Sequence, residues 1–333
     1  MNYREDKALS KEYKQEYLKG LERLIEKRQT EAEQIRYEST KGIFQNQEKF
    51  RQKFKEMLGW PLVDYEDSSL PEVTSTLLSE EETHFVYRMS ITFLEEVKMT
   101  GLFFKAKAGK QPLVIVQHGG LGTPELISGV YGNTSNYNEM LQRVIKHGVH
   151  AFAPQLLLWH EEYQVEFDRM AIDAQLKRVG SSITAIEVYG IKKMLDYFET
   201  QEFVSDFGMV GLSYGGFYTL FTSAIDTRIK SAISCSFFNK RDVVPWSDWT
   251  WFRSAEQFDD AEIACLVYPR RLCLQMGNQD ELFDYQQTQA SFQKLETLCN
   301  NVGTDWVTLM VFEGKHEFCK DDAPIEQLIK DLK

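Results

Sequence analysis

The chain has 333 residues, of which 43% are hydrophobic and 26% charged, and its formal net charge is −12. Such a composition can bury a sizeable core, and the length fits one large α/β domain with an appendage. The acidic balance, with no Lys/Arg run interleaved with aromatics, excludes nucleic acid as an expected partner, and no apolar run approaches the ~20 residues of a membrane span.

The N-terminus lacks the apolar stretch and small-residue cleavage site of a secretory signal, so a cytoplasmic location is expected. The five cysteines are odd in number and show no C-x-x-C spacing. Four of them lie among apolar neighbours or in helical patterns and read as small buried hydrophobes, so metal binding through them is not expected, nor is any other cofactor.

Residues 1–70 form a helical N-terminal extension. Tyr17, Leu18, Leu21, Leu24 and Ile25 recur at helical spacing, and a second pattern of Phe44, Phe50, Phe54, Met57 and Leu58 ends at Gly59 and Pro61. Packing against the main domain is the plain expectation for both stripes. A second copy of the chain, as in a homo-oligomer, or the active site are the other surfaces they could meet.

From about residue 71 the pattern turns to strands, at 84–93, 97–106 and 113–117. Strands and helices then alternate: helix 137–147, strand 150–155, helix 182–199, strand 207–213 and a helix from 214. Strands at 229–238, 271–277 and 305–312 follow, with helices at 284–299 and 324–332. Short apolar strands separated by helices predict an α/β fold over residues 71–333, a doubly wound and mostly parallel sheet.

The chemistry is concentrated at Gly211-Leu212-Ser213-Tyr214-Gly215-Gly216. A G-x-S-x-G string arises by chance in about one chain of this size in ten, so context must decide. Here an apolar strand precedes it and a helical pattern (Phe217, Leu220, Phe221, Ala224) follows, the strand–turn–helix of a nucleophile elbow. Glycines two before and two after the serine relieve a turn too tight for side chains. The turn lifts Ser213 above the sheet at a helix N-terminus, which favours developing negative charge.

In this order of elements the base follows the nucleophile, and His316 alone among the six histidines lies after Ser213. It sits just past the last strand. The acid belongs after the preceding strand, where Asp280 is the choice over Glu281 and Asp284, with Asp242 a more distant rival. The oxyanion donors expected are the N–H groups of Tyr214 and of Gly120, with Leu121 next, in the loop His118-Gly119-Gly120-Leu121. His118 precedes the nucleophile and reads as a loop-shaping residue.

With these residues placed, the chain resembles the dienelactone hydrolase-like and acetyl xylan esterase-like branch of the α/β-hydrolases. The likeness covers residues 80–333. It rests on Leu195-Asp196-Tyr197, the Gly211–Gly216 motif, Ala224-Ile225-Asp226-Thr227-Arg228-Ile229, Tyr268-Pro269-Arg270-Arg271 leading to Gly277-Asn278-Gln279-Asp280, and Gly314-Lys315-His316-Glu317. The helical extension is also similar to that of some bacterial members. The chain departs from that pattern in two places. Ser213 stands where true dienelactone hydrolases carry cysteine, pointing to ordinary ester hydrolysis. The loop reads His-Gly-Gly-Leu rather than the His-Gly-Tyr of secreted acetyl xylan esterases, so the substrate does not carry over.

Trp246, Trp249 and Trp251 lie on the connection before the strand at 271, and connections at strand carboxyl ends form the ligand crevice. They are expected to line the substrate pocket, with Trp159, His160 and Tyr163 as the opposite wall. The leading expectation is a serine esterase acting on small acyl, acetyl-type esters through Ser213, His316 and Asp280. A prolyl oligopeptidase-like peptidase or amidase is the alternative, since Ser-Tyr-Gly-Gly is similar to that motif too; Glu161-Glu162 is then the obvious anchor. The third reading is a non-catalytic hydrolase-fold protein.

Overall fold

The computed structural model describes residues 4–63, 69–158, 166–244 and 246–333. Helix α1 (Lys7–Ser39) starts where the Asp6 side chain accepts the N–H of Ala8, and α2 (Gln47–Leu58) follows. In α2 the stripe packs as expected: Phe50, Phe54, Met57 and Leu58 are buried in the main core. Gly59 ends this helix at φ +99°, where an added Cβ would stand 2.6 Å from the Gly180 carbonyl oxygen.

The α1 stripe departs from the packing expectation. Tyr17 is 72% exposed, and Leu18, Leu21, Leu24 and Ile25 also face solvent. Only Ala32 and Arg36 of this helix are buried. Arg36 reaches Asp259 at 3.5 Å and Glu262 at 3.4 Å, and Arg28 pairs with Glu256 at 3.3 Å. The docked end therefore carries the cations that meet an acidic edge of the body. The preceding three-quarters of the apolar stripe runs past that edge, over roughly 30 Å of helix.

Among the described residues nine strands form one sheet: β1 (Glu72–Glu80), β2 (His84–Phe93), β3 (Val97–Ala106), β4 (Gln111–Gln117), β5 (His150–Pro154), β6 (Val204–Leu212), β7 (Ile229–Cys235), β8 (Arg271–Gly277) and β9 (Val307–Phe312). Their spatial order is β1-β2-β3-β5-β4-β6-β7-β8-β9. The first three pairings are antiparallel, and β5 through β9 run parallel. β1 is an exposed edge strand with no clean apolar alternation, which is why the sequence marks only a change near residue 71. The inner strands β4 to β7 are buried almost throughout, as strands covered on both faces must be.

The intervening helices are α3 (Pro124–Ile127), α4 (Met140–Ile145), α5 (Arg169–Arg178), α6 (Ile183–Glu199), α7 (Tyr214–Ile225), α8 (Asp260–Cys265), α9 (Tyr285–Leu298) and α10 (Ala323–Leu332). The helix expected at 137–147 is shorter because residues 135–139 take a 3₁₀ turn and left-handed conformations. α5 has no stripe to announce it, since what it buries is charged. The chain leaves β4 toward β5 on one side, whereas β6 leads to β7 on the other. The switch point therefore lies between β4 and β6, and ligand crevices open beyond the carboxyl ends of strands at such a point. No described helix is long and apolar enough to cross a membrane.

Candidate active site

Ser213 follows β6 at φ +60° and ψ −122°, a strained conformation for a residue with a Cβ. The glycines around it make the turn geometrically admissible. A Cβ on Gly211 would meet the Gly215 carbonyl carbon at 2.3 Å, and one on Gly215 would meet the Gln117 oxygen at 2.2 Å. A Cβ on Gly216 would stand 2.6 Å from the Cys235 carbonyl oxygen. The Ser213 N–H donates to the same Cys235 carbonyl at 2.8 Å, fixing the turn to β7. Tyr214 then opens α7, so its N–H points out of a helix N-terminus.

The loops after β8 and β9 bring Asp280 and His316 together. The His316 Nδ1 lies 2.8 Å from an Asp280 carboxylate oxygen. The other carboxylate oxygen accepts the N–H groups of Leu282 at 2.9 Å and Phe283 at 3.0 Å. Burial alone would raise the Asp280 carboxyl; the His316 contact and the two N–H bonds outweigh it and hold it below the usual carboxylate range. Gly277 sits so close to Lys315 that a Cβ would lie 2.3 Å from its carbonyl oxygen, which locks the two loops in register. Asn136 adds a support, its side-chain N–H donating to the His316 carbonyl at 2.9 Å. The rival carboxylates are engaged elsewhere: Glu281 with Lys315, Asp284 capping α9, and Asp242 with Lys240.

His118 is fully buried between two loops. Its Nδ1 donates to the Gly119 carbonyl at 2.8 Å while its Nε2 accepts the Leu156 N–H at 3.0 Å. Burial pushes its pKa down to about 4, so it is the neutral imidazole that these two bonds require. The Gly119 N–H donates to the Tyr137 hydroxyl at 2.8 Å. Gly120, next along, faces the cavity, and among the described residues its N–H has no acceptor in the protein.

These groups surround one cavity of about 390 Å³. Ser213, Gly120, Tyr214 and His316 share it with Leu121, Leu126, Leu282, Asn136 and Trp246. Apart from His316, none of its described lining residues is ionisable at neutral pH. Of the three tryptophans expected here, the structure brings only Trp246 to the cavity. Trp249 and Trp251 are buried in the core instead, Trp249 stacked on Phe217 at 4.8 Å and Trp251 against Phe221 at 5.9 Å. The 3₁₀ turn at 247–249 sends the chain inward just after Trp246. Trp159, His160, Glu161, Glu162 and Tyr163 lie outside the described residues. Leu126, Ser135, Asn136, Tyr137 and Leu282 are the lining residues that composition and spacing did not single out; all five stand on connections after strands, which was the available signal. Among the described residues no cluster of three His, Cys, Asp or Glu side chains could hold a metal ion.

A model of the dienelactone hydrolase family matches residues 100–327. No curated protein matches. Among solved structures, acetyl xylan esterase 1 from a Thermoanaerobacterium species superposes with a TM-score of 0.57 at 13% identity, covering 87% of this chain and 94% of that one. A glucuronoyl esterase from Solibacter usitatus gives 0.58 at 13% identity, over 85% and 91%. A cold-adapted esterase from an Arctic intertidal metagenomic library gives 0.54 at 20% identity, over 77% and 97%. At such identities the structural likeness carries the fold.

Proposed function

Because the chain belongs to the dienelactone hydrolase family and has the α/β-hydrolase fold, we propose that it is a serine carboxylic-ester hydrolase acting on small acyl esters. The observation that carries this reading is the strained Ser213 sharing a cavity with His316, whose Nδ1 is held by Asp280 at 2.8 Å. That bond leaves Nε2 as the imidazole nitrogen for proton transfer. Ser213 Oγ attacks the ester carbonyl and its proton passes to Nε2. The N–H groups of Gly120 and Tyr214 receive the oxyanion. Collapse expels the alcohol, which takes the proton from His316 and leaves an acyl-Ser213. A water deprotonated at the same nitrogen attacks this acyl group, and the second collapse frees the acid and restores the Ser213 hydroxyl. Asp280 keeps its negative charge throughout and stabilises each imidazolium.

The cavity favours a small uncharged acyl group, because Leu121, Leu126, Leu282 and Trp246 line it without an added charge among the described residues. The name of one structural neighbour, an acetyl xylan esterase, supports acetyl-type esters as the class to try first. Turnover of p-nitrophenyl acetate, lost in Ser213→Ala together with labelling by a fluorophosphonate, tests the reading. Turnover that persists in Ser213→Ala overturns it.

The exposed stripe of α1 is the surface through which we expect two copies to associate. Residues 1–28 carry eight Lys/Arg against six Asp/Glu, in a chain whose overall charge is −12, so the arm is complementary in sign to the body of a second copy.

A further inference from the structure

We propose that Arg169 is a positioning residue for the oxyanion side of the site, acting by holding Asp248 against the side chain of Tyr214. The inference rests on the reading of Ser213 as nucleophile and of the Tyr214 N–H as oxyanion donor.

The Arg169 side chain is wholly buried, as is that of Asp248. Its Nε donates to Asp248 at 2.8 Å. One terminal nitrogen reaches the Leu157 carbonyl at 2.7 Å and Glu187 at 3.2 Å; the other reaches Glu187 at 2.9 Å and the Tyr218 hydroxyl at 2.8 Å. All five N–H groups therefore have acceptors. One cation faces two carboxylates, and two phenol O–H groups from successive turns of α7 complete the network. Tyr214 donates to Asp248 at 3.0 Å, and Tyr218 donates to Glu187.

Stability alone does not account for such a cluster. Buried ion networks are often matched or bettered by apolar residues of the same volume, so what they supply in favourable cases is a unique arrangement. Here the arrangement is centred on the cavity. Arg169 ties together α5, α6, the connection after β5 through Leu157 and the connection after β7 through Asp248. Tyr214 immediately follows the nucleophile and lines the cavity. Asp248 lies two residues beyond Trp246, whose ring stacks on Tyr214 with centroids 5.7 Å apart and planes at 29°. With its ring held between Trp246 and Asp248, Tyr214 is anchored at the head of α7, and this side-chain anchor adds to the backbone bonds of Ser213 and Phe217 in limiting the play of the Tyr214 N–H. A donor aimed at the oxyanion acts in the transition state and not on the bound ester, so the bridge contributes to kcat rather than to KM.

The test compares wild type with Tyr214→Phe, Asp248→Asn and the double variant. It reads kcat and KM for p-nitrophenyl acetate and the affinity for phenylboronic acid, which bonds Ser213 Oγ and mimics the tetrahedral intermediate. Loss of a whole oxyanion donor costs 10²–10³-fold, so its misalignment should lower kcat about ten-fold, with KM changed by less than about two-fold. Boronate affinity should fall by the same factor as kcat, and the double variant should be no worse than either single one, because both break one bridge. Arg169→Lys keeps the charge but not the fork, and should behave like Asp248→Asn. Should it fail to fold, Tyr214→Phe still decides, since it removes one hydroxyl and leaves the ion pairs in place. Wild-type kcat and boronate affinity in Tyr214→Phe, with only the melting temperature lowered, overturn the proposal. A rise in KM alone overturns it too. Absence of ester turnover and of fluorophosphonate labelling in the wild type removes the functional reading itself, a result distinct from both.

Discussion

Arg169 and the α1 stripe are opposite exceptions to the rule that apolar side chains go inside and charges outside. The guanidinium is completely enclosed, and the chain supplies every acceptor it needs from four separate segments. The leucines of α1 lie in water, and the chain supplies them nothing. In the first case a costly burial is resolved inside one molecule, next to the site. In the second, an apolar surface stays open, the surface through which we proposed that a second copy docks. Substitutions on the buried side should therefore damage chemistry or folding, and those on the exposed side should damage association alone.

The sharpest test on the buried side is Asp280→Asn. The amide can still sit beside His316, but it offers an N–H where the imidazole needs an acceptor, which selects the wrong tautomer. The expected loss is about 10⁴-fold in kcat with the fold intact, measured by steady-state ester hydrolysis. A loss below about ten-fold would mean that Asp280 is a bystander to the reaction.

The contrast between α1 and α2 predicts the next effect. Phe54 is fully buried and meets Phe221 at 5.0 Å and Phe258 at 5.4 Å. Phe54→Ala should destabilise the fold by about 3–5 kcal/mol in urea unfolding, by lost transfer free energy plus the cavity left behind. A loss within about 0.5 kcal/mol would put α2 in the same class as the α1 arm.

How far these contrasts could be read from the sequence depends on whether partners are local. The Gly211–Gly216 turn is legible because its steric demands are met within six residues, apart from the backbone of Gln117 and Cys235 that any neighbouring strands would present. His316 and Asp280 could be placed by chain order, since each follows its own strand. The network around Arg169 was not legible: it joins Asp248 to Arg169 across 79 positions, and nothing in either local pattern marks a charge for burial. Trp249 and Trp251 were assigned to the cavity with Trp246 for the same reason. Their loop turns inward after one residue, and a cluster of tryptophans cannot say which ring stays at the surface. The α1 stripe was legible as a stripe, but periodicity gives the face of a helix and not what covers it.

His118 sharpens the comparison through pH. Its folded pKa is lowered, by burial first, to about 4 from 6.5. Between those values the unfolded chain binds a proton that the folded chain refuses, so stability falls as pH drops through that window and is unaffected by this group above about 6.5. The loss by pH 4 is about 3 kcal/mol, and it should largely vanish in His118→Gln, compared with wild type by urea unfolding at several pH values. An equal acid slope in both proteins would assign the loss to other groups.

The smallest effect on the single chain is expected from Leu21→Asp with Leu24→Asp in α1. Both side chains are exposed in the monomer, at 38% and 53%, so neither substitution removes a packed contact. The melting temperature at dilution and kcat for p-nitrophenyl acetate should stay at wild-type values, since exposed substitutions change stability by less than about 0.5 kcal/mol. Most helical stability in proteins comes from packing of an apolar face, so an apolar stripe gains its stabilisation from whatever covers it. The mass in sedimentation should therefore fall from that of a dimer to that of a monomer. A wild type that sediments as a monomer at every concentration would exclude a second copy as the partner, and α1 would have to meet a different molecule or none.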